Sequence, residues 1–248
     1  MSRKTVAVVG AGLVGRLAGW AAMLSGYTPV LFYRGPYNRS VPRGFVYLHE
    51  RCELPLDEDE LLVDNFGTAE EYARRVYGDS EVKTSFWDTG PKVIYDPEQA
   101  ISILEILQEG MLARSEFNHA HDVFSLLSNG GFDKVIVTIP VDKLFPEINF
   151  KSRLAYVRSF DAGDDVPNCC FYSGSPATSW HRAGVIFGRG FYEYTSRVVD
   201  GTTEVTKVVE SDAAPPAIDN VLFTGRFGSW TKQLAHESFT EVLEWLSQ

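Results

Sequence analysis

The feature that most constrains this chain is a glycine pattern close to its start. Gly10, Gly12 and Gly15 form G-x-G-x-x-G directly after the apolar run Thr5–Val9. A continuous apolar run is typical of a strand buried on both faces of a sheet, and the residues after the glycines are rich in helix formers. A second apolar run at 29–33 follows the helical segment. In this context the pattern predicts a βαβ unit that binds the diphosphate of a dinucleotide.

Each glycine of the pattern has its own expected role. Gly10 permits a tight turn, Gly12 lets the backbone approach a diphosphate, and Gly15 lets the helix pack on the sheet. Leu13 and Val14 begin the helix, whose first N–H groups have no partner within the helix and attract an anion. The alternative is a glycine turn that holds no ligand.

The end of the second strand leaves the nucleotide open. Sites of this kind usually carry an acid there to bind the ribose hydroxyls, but this sequence has Tyr33 and Arg34. Arg34 could pair with the 2′-phosphate of NADP, or it could stack on adenine or contact a phosphate of FAD. The strand end does not decide between the two cofactors.

A second glycine-bearing turn lies near the other end of the chain, in the segment 221–230, VLFTGRFGSW. This segment resembles the C-terminal flavin-contacting motif of the glutathione-reductase class of flavoproteins, and most of all that of UDP-galactopyranose mutases and their amine-oxidase-like relatives. The resemblance implies FAD, with contacts from Gly225, Arg226, Phe227 and Trp230, and a following helix whose N-terminus points at the flavin pyrimidine edge. An ordinary strand-turn-helix is the alternative.

Two weaker segments resemble the same class. The run 134–140, KVIVTIP, is similar to the strand and T-x-P turn that re-enter the cofactor domain, and 43–49, RGFVYLH, is similar to the segment under the flavin ring. The resemblance therefore adds Arg43 and Gly44 to the expected cofactor contacts. The arginine set with which the mutases grip a diphosphate sugar is not found in full, and the chain is much shorter than those enzymes.

Few catalytic side chains are expected, because a flavin carries the redox chemistry itself. The candidates are His49, Arg182 and Tyr194. His49 lies in the flavin-like segment, Arg182 could grip a carboxylate or phosphate, and Tyr194 shares a strand face with Tyr192. The alternatives are a structural histidine, an ion pair and core packing. His236 is interpreted as a residue of a helix face.

The order of elements predicts an α/β protein, in which a Rossmann-like FAD-binding βαβ sheet carries an inserted, mainly antiparallel β substrate layer. Helical character is expected at 58–77, 97–108 and 231–246, and short strands with alternating or aromatic residues at 154–196. We expect residues 1–149 with 217–248 to form the FAD-binding domain and 150–216 to form the substrate layer.

Charge and cysteine content limit location and partners. The formal charge is −10, which disfavours a nucleic-acid partner without excluding one. Three cysteines at 52, 169 and 170 form no disulfide framework or zinc spacing, so a reducing cytoplasm fits best. No apolar run reaches membrane-spanning length, so no membrane partner is expected. The short middle region predicts a shallow site, which a second subunit of a homodimer would complete.

The leading hypothesis is an FAD-dependent oxidoreductase that oxidises a C–N bond in a small amine or amino-acid-like substrate. Compact flavoproteins of this sort also occur in phage genomes near base-modifying genes, which adds an amino-acid-modified nucleotide or DNA base as a substrate and the host cytoplasm as a location. The alternatives are a flavin-dependent isomerase resembling the mutases, which needs arginines of the middle region to converge, and an NADP-binding reductase or binding module that uses Arg34.

Overall fold

The strand that leads into the glycine loop lies at the centre of a parallel sheet. The computed structural model describes residues 4–33, 47–81, 89–114, 125–126, 131–197, 200–209 and 212–248. The parallel sheet and its helices comprise β1 (Thr5–Val9), α1 (Leu13–Leu24), β2 (Thr28–Tyr33), α3 (Pro97–Leu107), β5 (Leu112–Arg114), β6 (Lys134–Val137), β12 (Val221–Phe223), α4 (Gly225–Gly228) and α5 (Ala235–Leu246). The second sheet and its helix comprise β3 (Asp59–Phe66), α2 (Ala69–Tyr77), β4 (Gly90–Ile94), β7 (Ser152–Asp161), β8 (Cys169–Ser173), β9 (Arg182–Ile186), β10 (Arg189–Tyr194) and β11 (Thr203–Val208).

The parallel sheet has five strands in the order β12-β6-β1-β2-β5. Successive β1 side chains point to opposite faces. Val6 and Val8 pack with residues of α1, α3 and α5, whereas Ala7 and Val9 belong to a second core with β6, β12 and Trp230. The run 5–9 is therefore buried on both faces, as the sequence predicts.

The second sheet has seven strands in the order β11-β7-β10-β9-β8-β3-β4. All of its pairs are antiparallel except β3 with β8. The predicted strands at 154–196 are confirmed, and β11 was not predicted. Because β3 and β4 come from 59–94, the sheet also contains chain outside 150–216. The division into two domains stays a prediction.

The helical expectation for 58–77 is wrong over its first half. Residues 59–66 form β3, in which Leu61 and Val63 are buried and alternate with exposed neighbours, so the period is two. The helix begins only after Thr68, whose side chain accepts the Glu71 N–H in a capping box. The predicted turn at 225–229 is a short helix, α4, and the terminal helix starts at Ala235.

The described ranges contain no helix that is both long enough and apolar enough to cross a membrane.

Candidate functional site

Two of the three glycines in the N-terminal loop are required by the packing of the protein itself. Gly10 has φ of +113°, and a Cβ built there would lie 2.4 Å from Thr138 Oγ1. A Cβ on Gly15 would lie 1.7 Å from the carbonyl oxygen of Gly10. A Cβ on Gly15 would also lie 3.1 Å from Thr138 Oγ1, so Gly15 allows α1 to pack closely on the loop and on the end of β6. Thr138, which the sequence did not single out, donates from Oγ1 to the Val9 carbonyl and closes the loop from β6.

Gly12 is different, because open space lies beside it. No described atom lies within 4 Å of a Cβ built on Gly12. Gly12 caps α1 with extended backbone and no side-chain hydrogen bond, and the first turn of α1 carries no acidic residue. The first N–H groups of α1, which have no partner within the helix, lie beside this open space, as a diphosphate site requires. Leu13 is buried and Val14 half-buried, so their backbone rather than their side chains would bind it.

The turn near the other end of the chain packs on this loop. Gly225 has φ of +80°, and a Cβ there would lie 2.8 Å from Val14 Cγ1. A Cβ on Gly228 would lie 2.5 Å from the carbonyl oxygen of Val137, at the end of β6. The two glycine segments therefore contact each other, and α4 lies at the carboxyl edge of the parallel sheet.

A polar network that the sequence did not reveal holds α4 in place. Gln233 Oε1 accepts the Gly225 N–H at 2.7 Å. Glu241 Oε2 accepts from Thr224 Oγ1 at 2.5 Å and from Gln233 Nε2 at 2.8 Å. Glutamine and glutamate on a helix are too common for their spacing to have signalled this role.

The remaining residues of the C-terminal turn divide into two groups. Arg226 is exposed and Phe227 half-buried, so both are accessible to a ligand. Trp230 is 3% exposed, and its Nε1 donates to the Lys151 carbonyl at 2.8 Å. The indole therefore belongs to the core, and only the backbone of Trp230 could serve a cofactor.

The end of β2 carries Tyr33, another residue predicted to contact the cofactor. Tyr33 is half-buried and lies opposite Arg114 of β5 in the strand register. Arg34, Arg43 and Gly44 lie outside the described residues, so their predicted contacts stay predictions.

His49 lies in a row of rings between the two sheets. Its ring centroid is 4.8 Å from that of Tyr47 and 5.6 Å from that of His236. Partial burial lowers the pKa of His49 below its ordinary value, and His236 lowers it further. Leu48, the preceding residue, pairs with Tyr95 at the end of β4.

Arg182 has partners inside the second sheet. Its Nη1 lies 3.4 Å from Glu193 Oε1, and its guanidinium lies over the rings of Tyr172 and Phe191. Lys207 Nζ lies 2.8 Å from the other oxygen of Glu193. Burial alone would raise the pKa of Glu193, but Lys207 and Arg182 hold that pKa well below its ordinary value. Arg182 is thus part of a buried ion network in this structure.

Tyr194 is buried and shares its strand face with Tyr192, as predicted. The rings of Tyr192 and Tyr194 are 6.4 Å apart, and Phe160 stacks on Tyr192. Because successive residues of β10 alternate between faces, this aromatic row lies opposite the face that carries Glu193. Burial raises the pKa of Tyr194.

Three arginines of the middle region lie apart from one another. Arg182 contacts Glu193, Arg189 pairs with Glu98, and Arg153 packs on Gly78. Arg153 lies at the start of β7, whereas Arg189 lies opposite Asp161 at the far end of that strand, ~25 Å away. The isomerase alternative, which needs such arginines to converge, stays a hypothesis without support from these three.

A cavity of about 1300 Å³ lies between one end of the second sheet and the first turn of α3. Its apolar part includes Val157, Phe160, Ile186 and Phe187. Among the described residues of its lining, Arg189 is the single basic one. The lining carboxylates are Asp59, Glu60, Asp96, Glu98, Asp161, Asp164 and Asp165.

Solved structures of other proteins share this fold at low sequence identity. A geranylgeranyl bacteriochlorophyll reductase-like protein from Thermoplasma acidophilum is 12% identical and has a TM-score of 0.57, over 98% of this chain and 77% of that one. HpxO from Klebsiella pneumoniae, solved with FAD and uric acid, is 10% identical with a TM-score of 0.55, over 98% and 79%. MibH, a tryptophan 5-halogenase, is 12% identical with a TM-score of 0.60, over 99% and 66%.

No protein-family model and no curated protein matches the sequence. At these identities the structural likeness concerns the fold alone. The predicted fold class, a Rossmann-like parallel sheet joined to a mainly antiparallel one, is confirmed.

Proposed function

We propose that this chain binds FAD and is an FAD-dependent oxidoreductase that acts on a small molecule. The observation that carries the proposal is the space at Gly12, free of other described atoms, beside the first N–H groups of α1 and next to the turn at Gly225. The space beside the N–H groups of α1 is what a diphosphate requires. The turn at Gly225 brings a further stretch of backbone to the same edge of the sheet, where a cofactor longer than a single nucleotide would extend.

FAD is favoured over NADP because the glycine loop at 10–15 and the turn at 225–228 lie together. A nicotinamide cofactor has no need of the turn at 225–228, whereas the resemblance of that turn to a flavin-contacting motif assigns it a use. HpxO, which shares the fold, is solved with FAD. When bound, FAD would supply the two-electron acceptor, and the residues of this chain would position the substrate and transfer protons.

The acidic cavity favours a cationic substrate, in keeping with oxidation of a C–N bond in an amine. Seven carboxylates and one arginine line it, so its potential attracts an ammonium group and repels a carboxylate. The cavity reaches Asp96, the residue after Tyr95, and Tyr95 pairs with Leu48 beside His49. The cavity wall is thus joined through the chain to the segment of His49, which the resemblance assigns to the flavin.

The purified chain is expected to bind FAD and to show the visible absorbance of a flavoprotein. Titration of the FAD-free protein with FAD, followed by flavin fluorescence, measures the affinity, and NADP serves as the comparison ligand. A protein that stays colourless with FAD and binds NADP would contradict the proposal.

Glu60→Gln with Asp165→Asn is expected to lower kcat/KM for cationic amines about tenfold, because two charges of the cavity are removed. The loss should shrink at high salt, where charges are screened. Asp79→Asn, outside the cavity lining, is the matched control. Equal losses for amines and for neutral alcohols would argue against recognition of a cation.

A further inference from the structure

The ring row of Tyr47, His49 and His236 joins two distant parts of the chain. His49 follows Leu48, which exchanges two backbone hydrogen bonds of 3.0 Å with Tyr95. His236 lies in the first turn of α5. The 5.6 Å between the two imidazole centroids thus brings a residue after the first βαβ unit against the start of the terminal helix.

The charged groups around this pair act on the pKa of His49 in opposite directions. Partial burial is the main cause of the lowered pKa of His49, and His236 and Lys92 act in the same direction. Glu237 and Glu50 act against them. Glu50 also contacts His236, since its Oε1 lies 3.6 Å from His236 Nε2.

His236 has a second distinctive feature, which is a buried atom left without a partner. Its Nδ1 is closed to solvent and makes no hydrogen bond within the described part of the chain. Buried polar atoms are paired in the great majority of cases, and an exception calls for a functional or structural reason. His49 itself is exposed, so it can exchange protons with a substrate and with water.

The pair lies between the two parts of the proposed site. On one side, α5 follows Gln233, which holds the Gly225 N–H of the C-terminal turn. On the other side, the Leu48–Tyr95 pairing leads to Asp96 in the wall of the acidic cavity. His49 packs against His236, three residues after Gln233, and so lies near the turn at which the cofactor is proposed to bind.

We propose that His49 is the general base that accepts a proton from the ammonium group of the substrate, and that the neighbouring His236 keeps His49 neutral and ready to do so. An N–H bond of the substrate breaks, its electron pair remains on nitrogen, and an N–H bond forms on the imidazole. Glu50 and Glu237 offset the new charge, and the proton then passes to water. This role rests on the proposed oxidoreductase function.

The coupling within the pair can be measured without cofactor or substrate. We expect an NMR titration of the FAD-free protein to show a higher His49 pKa in His236→Gln, because a positive neighbour is removed. Glu50→Gln should shift the His49 pKa to a lower value. Glu58 is an exposed residue that is paired with Arg51, so Glu58→Gln is the control and should leave the His49 pKa unchanged. An unchanged His49 pKa in both His236→Gln and Glu50→Gln would overturn the pairing.

Activity tests the role of the pair. His49→Gln should lower kcat/KM about 10²-fold, the usual contribution of a general base, with FAD affinity unchanged. His236→Gln should move the acidic limb of the pH profile to higher pH, in step with its NMR shift. If the enzyme binds FAD and is active, but the acidic limb of its pH profile is unchanged in both variants, then His49 is not the general base, and the oxidoreductase function still holds. If the chain binds no FAD, both the oxidoreductase function and the role of His49 as its base are wrong, whatever His49 pKa shifts the NMR titration shows.

Discussion

Gly12→Ala is expected to reduce FAD affinity about 10²-fold, or ~3 kcal/mol, while the FAD-free protein remains folded. A Cβ at Gly12 meets no described atom within 4 Å, so the substitution creates no clash in the protein itself. Its φ of −73° and ψ of −178° suit alanine, and the loss of a glycine cap from a helix costs at most about 1 kcal/mol. The methyl group instead occupies the space through which the diphosphate would approach α1.

Gly15→Ala provides the contrast, because it should damage the fold. Its Cβ would lie 1.7 Å from the Gly10 carbonyl oxygen, and both groups belong to the backbone, so neither can rotate away. We expect a loss of about 3 kcal/mol or more in the free energy of unfolding. Urea unfolding of the FAD-free variants measures stability, and fluorescence titration measures affinity.

Gly12→Ser sharpens the comparison. A serine at this position can cap α1 and stabilise the folded chain, yet its hydroxyl takes the N–H group that a phosphate would use. Affinity and stability should therefore change in opposite directions. If Gly12→Ala bound FAD as tightly as the natural chain, the diphosphate could not lie at this helix.

Glu193→Gln is expected to destabilise the protein by about 3–5 kcal/mol, because it leaves the charges of Arg182 and Lys207 without their buried partner. Glu193 is 1% exposed and lies across β9 and β10 from Arg182. Glu204→Gln, an exposed residue on β11, is the matched control and should change stability by less than about 0.5 kcal/mol.

The same pair of variants gives a pH dependence with a definite sign. The pKa of Glu193 in the folded protein lies well below 4.5, its ordinary value. The stabilisation is therefore present above pH ~4.5 and is lost as the pH falls through the folded pKa. The stability difference between the natural chain and Glu193→Gln should narrow in acid. Equal stability at neutral pH would instead mean that Arg182 is free for a substrate anion, as the sequence alone suggested.

Local patterns were sufficient for the cofactor half of the fold. The run 5–9, the glycine spacing and the helix after it predict the βαβ unit, because each depends on residues adjacent in sequence. The helix at 97–108 was equally evident, since Asp96 caps it and Pro97 begins it. Residues 59–66 were misread because α2 follows closely, and the two-residue period of β3 is short.

The second sheet was predicted only in part, since its strands pair across long stretches of chain. β3 pairs with β8 more than 100 residues later, and nothing in 59–66 indicates that partner. β11 carries few apolar residues, and its pairing with β7 rather than its composition makes it a strand. Strand propensity depends strongly on such context.

The sequence by itself determined that this chain has a glycine loop with the spacing typical of dinucleotide sites and a second glycine turn near its other end. Only the tertiary structure decided what surrounds them. It placed Gly225 against Val14, turned Trp230 into the core, paired Arg182 with Glu193 and brought His236 to His49. Backbone conformation follows from neighbouring residues, whereas the partner of a buried charge or ring is set by packing between segments far apart in the chain.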